Sequence, residues 1–182
     1  MILITGGARS GKSRLAEQFA ARHGERVLYI ATSVVTDPEM AERIALHRVS
    51  RPAHWSTHEG FTGLGEVVRT QGGQHDAIVL ECMTTLITNL MFLQAGDTPP
   101  EQMDFVAIEA YIQQEVDQLI AAALDCPAPL YLVTNEVGFG IVPDNLLARR
   151  FRDIAGRINQ RLAAGSDEVW LVISGVDMKI KG

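Results

Sequence analysis

Residues 1–13 read Met-Ile-Leu-Ile-Thr-Gly-Gly-Ala-Arg-Ser-Gly-Lys-Ser, an apolar run that passes straight into a glycine-rich turn. Gly6, Gly11, Lys12 and Ser13 fall at the fixed positions of the G-x-x-x-x-G-K-[ST] phosphate-binding pattern. The flanks fit that pattern. β-branched and aliphatic residues (Ile2, Leu3, Ile4, Thr5) lead in as a strand, and Ser13-Arg-Leu-Ala-Glu-Gln-Phe-Ala-Ala-Arg leads out as a helix. Between them Gly6, Gly7, Ala8, Arg9, Ser10 and Gly11 can wrap a polyphosphate with successive backbone N–H groups. The helix N-terminus adds partial positive charge. Lys12 is placed to reach the β- and γ-phosphates, and Ser13 to help hold Mg²⁺. The segment predicts binding of a nucleoside triphosphate.

Outward from this loop, four more apolar runs read as buried parallel strands: Val27–Ala31, Ala77–Glu81, Leu130–Asn135 and Val169–Ser174. Helical patterns separate them. Lys12–His23 ends before Gly24, which reads as a C-terminal cap. Asp37-Pro38-Glu39 reads as a helix opening, and Phe105–Ala123 and Asn145–Ala164 as long amphipathic helices. The apolar stretch Ala77 to Ala95 is broken by Glu81, Thr84, Thr85, Thr88 and Asn89, so it predicts a buried strand and then a helix, with no stable membrane insertion. Strand–helix alternation predicts an α/β fold, a mostly parallel sheet flanked by helices, in a single nucleotide-binding domain spanning 1–182.

The bulk numbers suit such a domain. Of the 182 residues, 47% are hydrophobic and 21% charged, the balance of a chain with a real core. The net charge of −6 argues against nucleic acid as a partner. Cys82 and Cys126 lack metal-site spacing and fit a core role in a reducing compartment. No charged and apolar leader pattern precedes the first strand, so a cytoplasmic protein is expected.

In open α/β sheets ligands bind at the carboxyl ends of the strands. That rule selects Gly6–Ser13, Thr32 with Ser33, Glu81, Asn135 with Glu136, and Ser174 with Gly175. Asp76-Ala-Ile-Val-Leu-Glu81 is an apolar strand ending in a carboxylate, where phosphate-loop enzymes usually place an Asp beside Mg²⁺. Glu81 is one methylene longer and is read as a ligand of either the metal or a ribose hydroxyl. Thr134–Pro143 reads as the loop after the fourth run, either a plain strand-to-helix turn or a substrate contact in which Asn135 and Glu136 face the ligand and Gly138 and Gly140 give flexible backbone near a bulky group.

A histidine stands out downstream of the second strand. Met40, Ile44 and His47 share one helical face, so His47 points inward. Arg43, Arg48 and Arg51 flank it and suit phosphate or a developing anionic centre. A neutral imidazole is a competent nucleophile near neutral pH and can form a phosphoramidate. His54 and His58 read as surface or structural residues, Trp55 as packing. Glu59 is either a solvated charge or a partner for a ribose or base edge.

These segments together resemble a known family. Gly6–Ser13, Tyr-Ile-Ala-Thr-Ser at 29–33, Arg43-Ile44 with His47-Arg48 and Arg51-Pro52, Trp55, Thr57, Glu59, Thr88-Asn89-Leu90, Thr134–Pro143, and Arg152-Asp153 with Gly156-Arg157 and Asn159-Gln160 are similar to the bifunctional adenosylcobinamide kinase / adenosylcobinamide-phosphate guanylyltransferase of cobalamin biosynthesis. The resemblance implies two reactions. ATP or GTP phosphorylates the aminopropanol hydroxyl of adenosylcobinamide. GTP then transfers GMP to a histidine, matched here by His47, which passes it to the cobinamide phosphate. The GTP-contacting segments implied are Gly6–Ser13, Ala31, Thr32 and Ser33, then Arg48, Val49, Ser50 and Arg51, and Glu59 and Glu81. It also implies a RecA-like sheet and a homotrimer. Two other classes compete: a plain phosphate-loop kinase, which wants an Arg-rich lid insertion not found here, and a nucleotide-sensing assembly protein that binds GTP without turnover.

Overall fold

The computed structural model describes residues 1–34, 42 and 52–182. Its centre is a seven-stranded sheet: β1 (Ile2–Gly6), β2 (Val27–Ala31), β3 (Ser56–Glu59), β4 (Ala77–Glu81), β5 (Leu130–Asn135), β6 (Glu168–Ile173) and β7 (Val176–Lys181). The order across the sheet is β3-β2-β4-β5-β1-β6-β7. All neighbours pair in parallel except β6 and β7, which pair antiparallel. Five α-helices lie among the described residues: α1 (Lys12–Ala21), α2 (Leu64–Gln71), α3 (Met83–Ala95), α4 (Phe105–Asp125) and α5 (Leu146–Gly165).

The period-2 rule of strands explains the two layers. Leu28, Ile30, Ile78, Leu80, Leu130 and Leu132 face one side and pack with α2, α3, α4 and α5. Val27, Tyr29, Ala77, Val79, Tyr131 and Val133 face the other and pack with Leu15, Ala16 and Ala20 of α1. Both faces of the central strands are therefore covered, and those strands are continuous apolar runs. Trp55 packs with the second layer, as its sequence context suggested. Asp104 caps α4 by accepting from Val106 N and Ala107 N, and Asn145 caps α5 by accepting from Ala148 N. Bidentate Arg157–Glu109 and Arg161–Asp117 pairs fasten α5 to α4.

The sheet has two strands more than the five apolar runs. β3 is a short, mostly exposed edge strand with the polar sequence Ser-Thr-His-Glu. β7 follows β6 through Ser174 and Gly175, both at positive φ, as a tight hairpin. Gly24 does not cap α1, whose cap residue is Arg22. It instead leaves room for Asp76, whose side chain a Cβ at Gly24 would meet at 2.3 Å. The proposed helix opening at Asp37 lies outside the described residues.

Candidate active site

The first parallel strand and helix build the phosphate loop. β1 ends at Gly6, in register with Asn135 of β5 and Val172 of β6. A Cβ on Gly6 would stand 2.2 Å from the Val172 carbonyl oxygen, so glycine lets the strand turn out of the sheet there. Gly11 has φ +105°, a conformation that glycine adopts without strain, and α1 starts at the next residue. The loop is braced from both sides. Glu136 N donates to Gly6 O at 3.0 Å, and Gly175 N donates to Ser10 O at 2.8 Å.

Lys12 is buried, and its ammonium donates to Gly7 O at 2.6 Å. Burial lowers its pKa, while the nearby Cys82 and Glu81 oppose that shift. Glu81 sits at the end of β4 and is held at both oxygens. Ser13 Oγ donates to Oε1. Tyr29 donates its hydroxyl to Oε2 at 2.5 Å. Tyr29 lies in register with Val79, and the period-2 rule puts its ring on the same face as Glu81, one diagonal step away. A serine hydroxyl and a carboxylate next to the phosphate loop are hard oxygen donors, the ligand type Mg²⁺ takes.

The neighbouring strand ends are locked in turn. Thr32 is fully buried; its Oγ1 donates to Cys82 O at 2.8 Å and accepts from Cys82 N at 2.9 Å. Asn89 of α3 donates to Thr32 O at 2.6 Å. Asn159 of α5 accepts from Thr134 Oγ1 at 2.8 Å and donates to Asn135 O at 3.3 Å. Ala31 is in register with both Glu59 and Glu81, so these carboxylate-bearing positions flank it at the same edge of the sheet.

The structure thus brings Gly6–Ser13, Ala31, Thr32, Glu59 and Glu81 to one end of the sheet, with Ser33 following Thr32 in the chain. His47, Arg48, Val49, Ser50 and Arg51, with Arg43, lie outside the described residues. The sequence reading quoted Tyr29 in the resemblance but gave it no role; the signal was a phenol, the single hydroxyl-bearing side chain of the apolar strand Val-Leu-Tyr-Ile-Ala. Asn89 and Asn159 were part of the family resemblance but had no role until the strand ends were in place. Asn135 and Glu136, for which the sequence left substrate contact and a plain turn both open, lie beside the loop, and Glu136 Oε1 accepts from Gly138 N at 2.6 Å.

Residues 2–180 match CobU, a family described as cobinamide kinase / cobinamide phosphate guanyltransferase. The chain belongs to this family. It is 58% identical over 181 residues to the bifunctional adenosylcobalamin biosynthesis protein CobU of Salmonella typhimurium, covering 100% of this chain and 99% of that protein. The protein of the same description from Escherichia coli is 54% identical over the same span. The bifunctional adenosylcobalamin biosynthesis protein CobP of Pseudomonas aeruginosa is 39% identical over 180 residues, 99% of this chain and 96% of that protein. The seven-stranded, mostly parallel sheet with its phosphate loop is therefore the scaffold on which this CobU family member carries its site.

Proposed function

We propose that this chain, a cobinamide kinase and cobinamide phosphate guanylyltransferase of cobalamin biosynthesis by family, performs both reactions around one phosphate loop and uses His47 as the guanylyl carrier. What carries the reading is the phosphate loop with Glu81 pinned beside Ser13. In the kinase step the acceptor hydroxyl attacks the γ-phosphorus, and the bond to the β-phosphate oxygen breaks to release the nucleoside diphosphate. Lys12 offsets the charge on the transferring phosphoryl group, and loop N–H groups hold the others. Ser13 and Glu81 would hold Mg²⁺, which supplies charge neutralisation at the phosphates when bound. ATP and GTP both fit a loop that grips only phosphates.

In the second step the neutral imidazole of His47 attacks the α-phosphorus of GTP. A P–N bond forms, and pyrophosphate leaves. The phosphate of the acceptor then attacks that α-phosphorus, and the imidazole is released. Support for His47 comes from the sequence: its i, i+4, i+7 spacing with Met40 and Ile44, which predicts one shared helical face, its flanking Arg43, Arg48 and Arg51, and the family resemblance. Ala31, Thr32, Ser33, Glu59 and the segment Arg48–Arg51 are the proposed nucleotide contacts beyond the loop. We place these in a single domain spanning 1–182, in a homotrimer in the cytoplasm. β7, an edge strand with Val176, Met178 and Ile180 exposed, suits burial against another copy.

The direct test follows phosphoryl transfer from γ-labelled triphosphate to adenosylcobinamide. Lys12→Ala is expected to slow it on the order of 10²- to 10³-fold. Transfer at the parent rate would remove the loop from the mechanism.

A further inference from the structure

The reaction's acceptor is far larger than its reacting hydroxyl. That hydroxyl ends an aminopropanol arm on a corrin macrocycle, a broad apolar face rimmed by amides. The phosphate loop is a cradle of backbone N–H groups scaled to phosphates, and a ring of this size needs further surface. Some surface beside the loop must therefore carry it.

The loop after β5 has the required position and chemistry. It leaves the sheet next to Gly6, to which Glu136 is hydrogen-bonded, so it borders the phosphate site directly. Ile141 is 96% exposed, Phe139 84% and Val142 61%. Ile141 and Phe139 are the two most exposed large hydrophobic residues among those described. Single exposed apolar side chains are ordinary on protein surfaces, but three within four positions beside an active site are not. Both ends of this loop are tied down. Gly138 N donates to Glu136 Oε1, and the Arg149 guanidinium donates to Pro143 O at 3.1 Å and Asp144 O at 2.6 Å. Its apolar side chains are thus displayed from an anchored backbone. They offer nothing to a triphosphate or ribose, whose recognition is polar.

Resting on the kinase and guanylyltransferase reading, we propose that Phe139, Ile141 and Val142 form the seat of the corrin macrocycle and so set acceptor specificity in both reactions. The seat holds the ring outside the phosphate cradle while the arm reaches in. The occupant is the macrocycle, and the loop contributes to KM for cobinamide and not to nucleotide affinity.

The test compares the parent with the double variant Phe139→Ser, Ile141→Ser and with Phe139→Leu. The readouts are cobinamide binding by absorbance titration, KM for cobinamide, GTP affinity by calorimetry, and oligomeric state by light scattering. A further readout is kcat at saturating cobinamide. The double variant is expected to weaken cobinamide binding and raise its KM at least about tenfold, the scale of losing a few apolar contacts. GTP affinity and kcat at saturating cobinamide stay close to parent values, and Phe139→Leu stays close to the parent. Unchanged cobinamide KM in the double variant overturns the proposal. So does a change in oligomeric state, which would make the loop a contact between copies. A parent that binds GTP yet phosphorylates no cobinamide overturns the functional reading itself, and the seat with it.

Discussion

Tyr29→Phe removes one oxygen atom from the buried side of the site. The ring is 1% exposed, and its hydroxyl lies 2.5 Å from Glu81 Oε2. A hydrogen bond to a charged group contributes about 1.5–3 kcal/mol. Glu81 is half-buried and keeps Ser13 on its other oxygen, so water recovers part of that loss. The expected cost is about 1–2 kcal/mol, or a fall in Tm of roughly 2–8 °C for a chain of this size. Without the phenol, Glu81 is freer to rotate away from Ser13, so affinity for a divalent cation at the proposed site is expected to fall. Two assays check this. A double-mutant cycle with Glu81→Ala in urea denaturation isolates the pair, and electron paramagnetic resonance of Mn²⁺ with GTP reads the cation site. A coupling of at least about 0.5 kcal/mol is expected, with weaker Mn²⁺ binding in Tyr29→Phe. Additive costs and parent-like Mn²⁺ affinity would refute the positioning of Glu81 by Tyr29.

Other perturbations reach different parts of the structure. Gly6→Ala drives a Cβ to 2.2 Å from a backbone oxygen of β6, which no rotamer relieves; a loss of about 3 kcal/mol or more is expected, visible as a Tm lower by at least roughly 6 °C. Burial lowers the Lys12 pKa, so between the folded and unfolded values the unfolded chain binds more protons, and stability rises with pH through that alkaline window. At neutral pH the buried charge is a net cost. Lys12→Met is therefore expected to raise the Tm of the free protein while abolishing the Tm rise on adding GTP; a lower Tm without nucleotide would contradict this. Asp76, Asp167 and Glu168 have lowered pKa values, held down by hydrogen bonds from Arg26, the N-terminal ammonium and Lys179 respectively. Their stabilisation is present above the ordinary carboxylate range near about pH 4 and is lost as pH falls through the lowered folded values. Asp167→Asn should thus lower Tm at neutral pH and match the parent in strong acid, and a difference independent of pH would exclude this linkage.

The parts of the fold legible in the sequence are those buried on both faces. β2, β4 and β5 run in the structure from the same first to the same last residue as their apolar runs, because a central parallel strand shows no polar alternation. β3 left no such mark: it is a polar edge strand whose pairing with β2 depends on register. β7 did leave a signal, the alternation Val-Asp-Met-Lys-Ile-Lys after Ser-Gly, which is a hairpin pattern that the reading of a strand ending at Ser174 overlooked. At the site, the phosphate loop and Glu81 were legible because local sequence dictates them. Tyr29 was not, because its meeting with Glu81 needs the β2–β4 register. Asn89 and Asn159 act across elements far apart in the chain, and only the packing of α3 and α5 gives them partners.

The covalent step proposed at His47 is the centre of the proposed mechanism, and mass analysis of denatured protein tests it most directly. The protein is incubated with Mg²⁺ and GTP labelled at the α-phosphate, quenched, digested and mapped. The expected result is GMP attached to the peptide containing His47, acid-labile and alkali-stable, and absent from His47→Ala, whose kinase activity survives in part. GTP bound without any adduct, or an adduct retained by His47→Ala, would contradict the account.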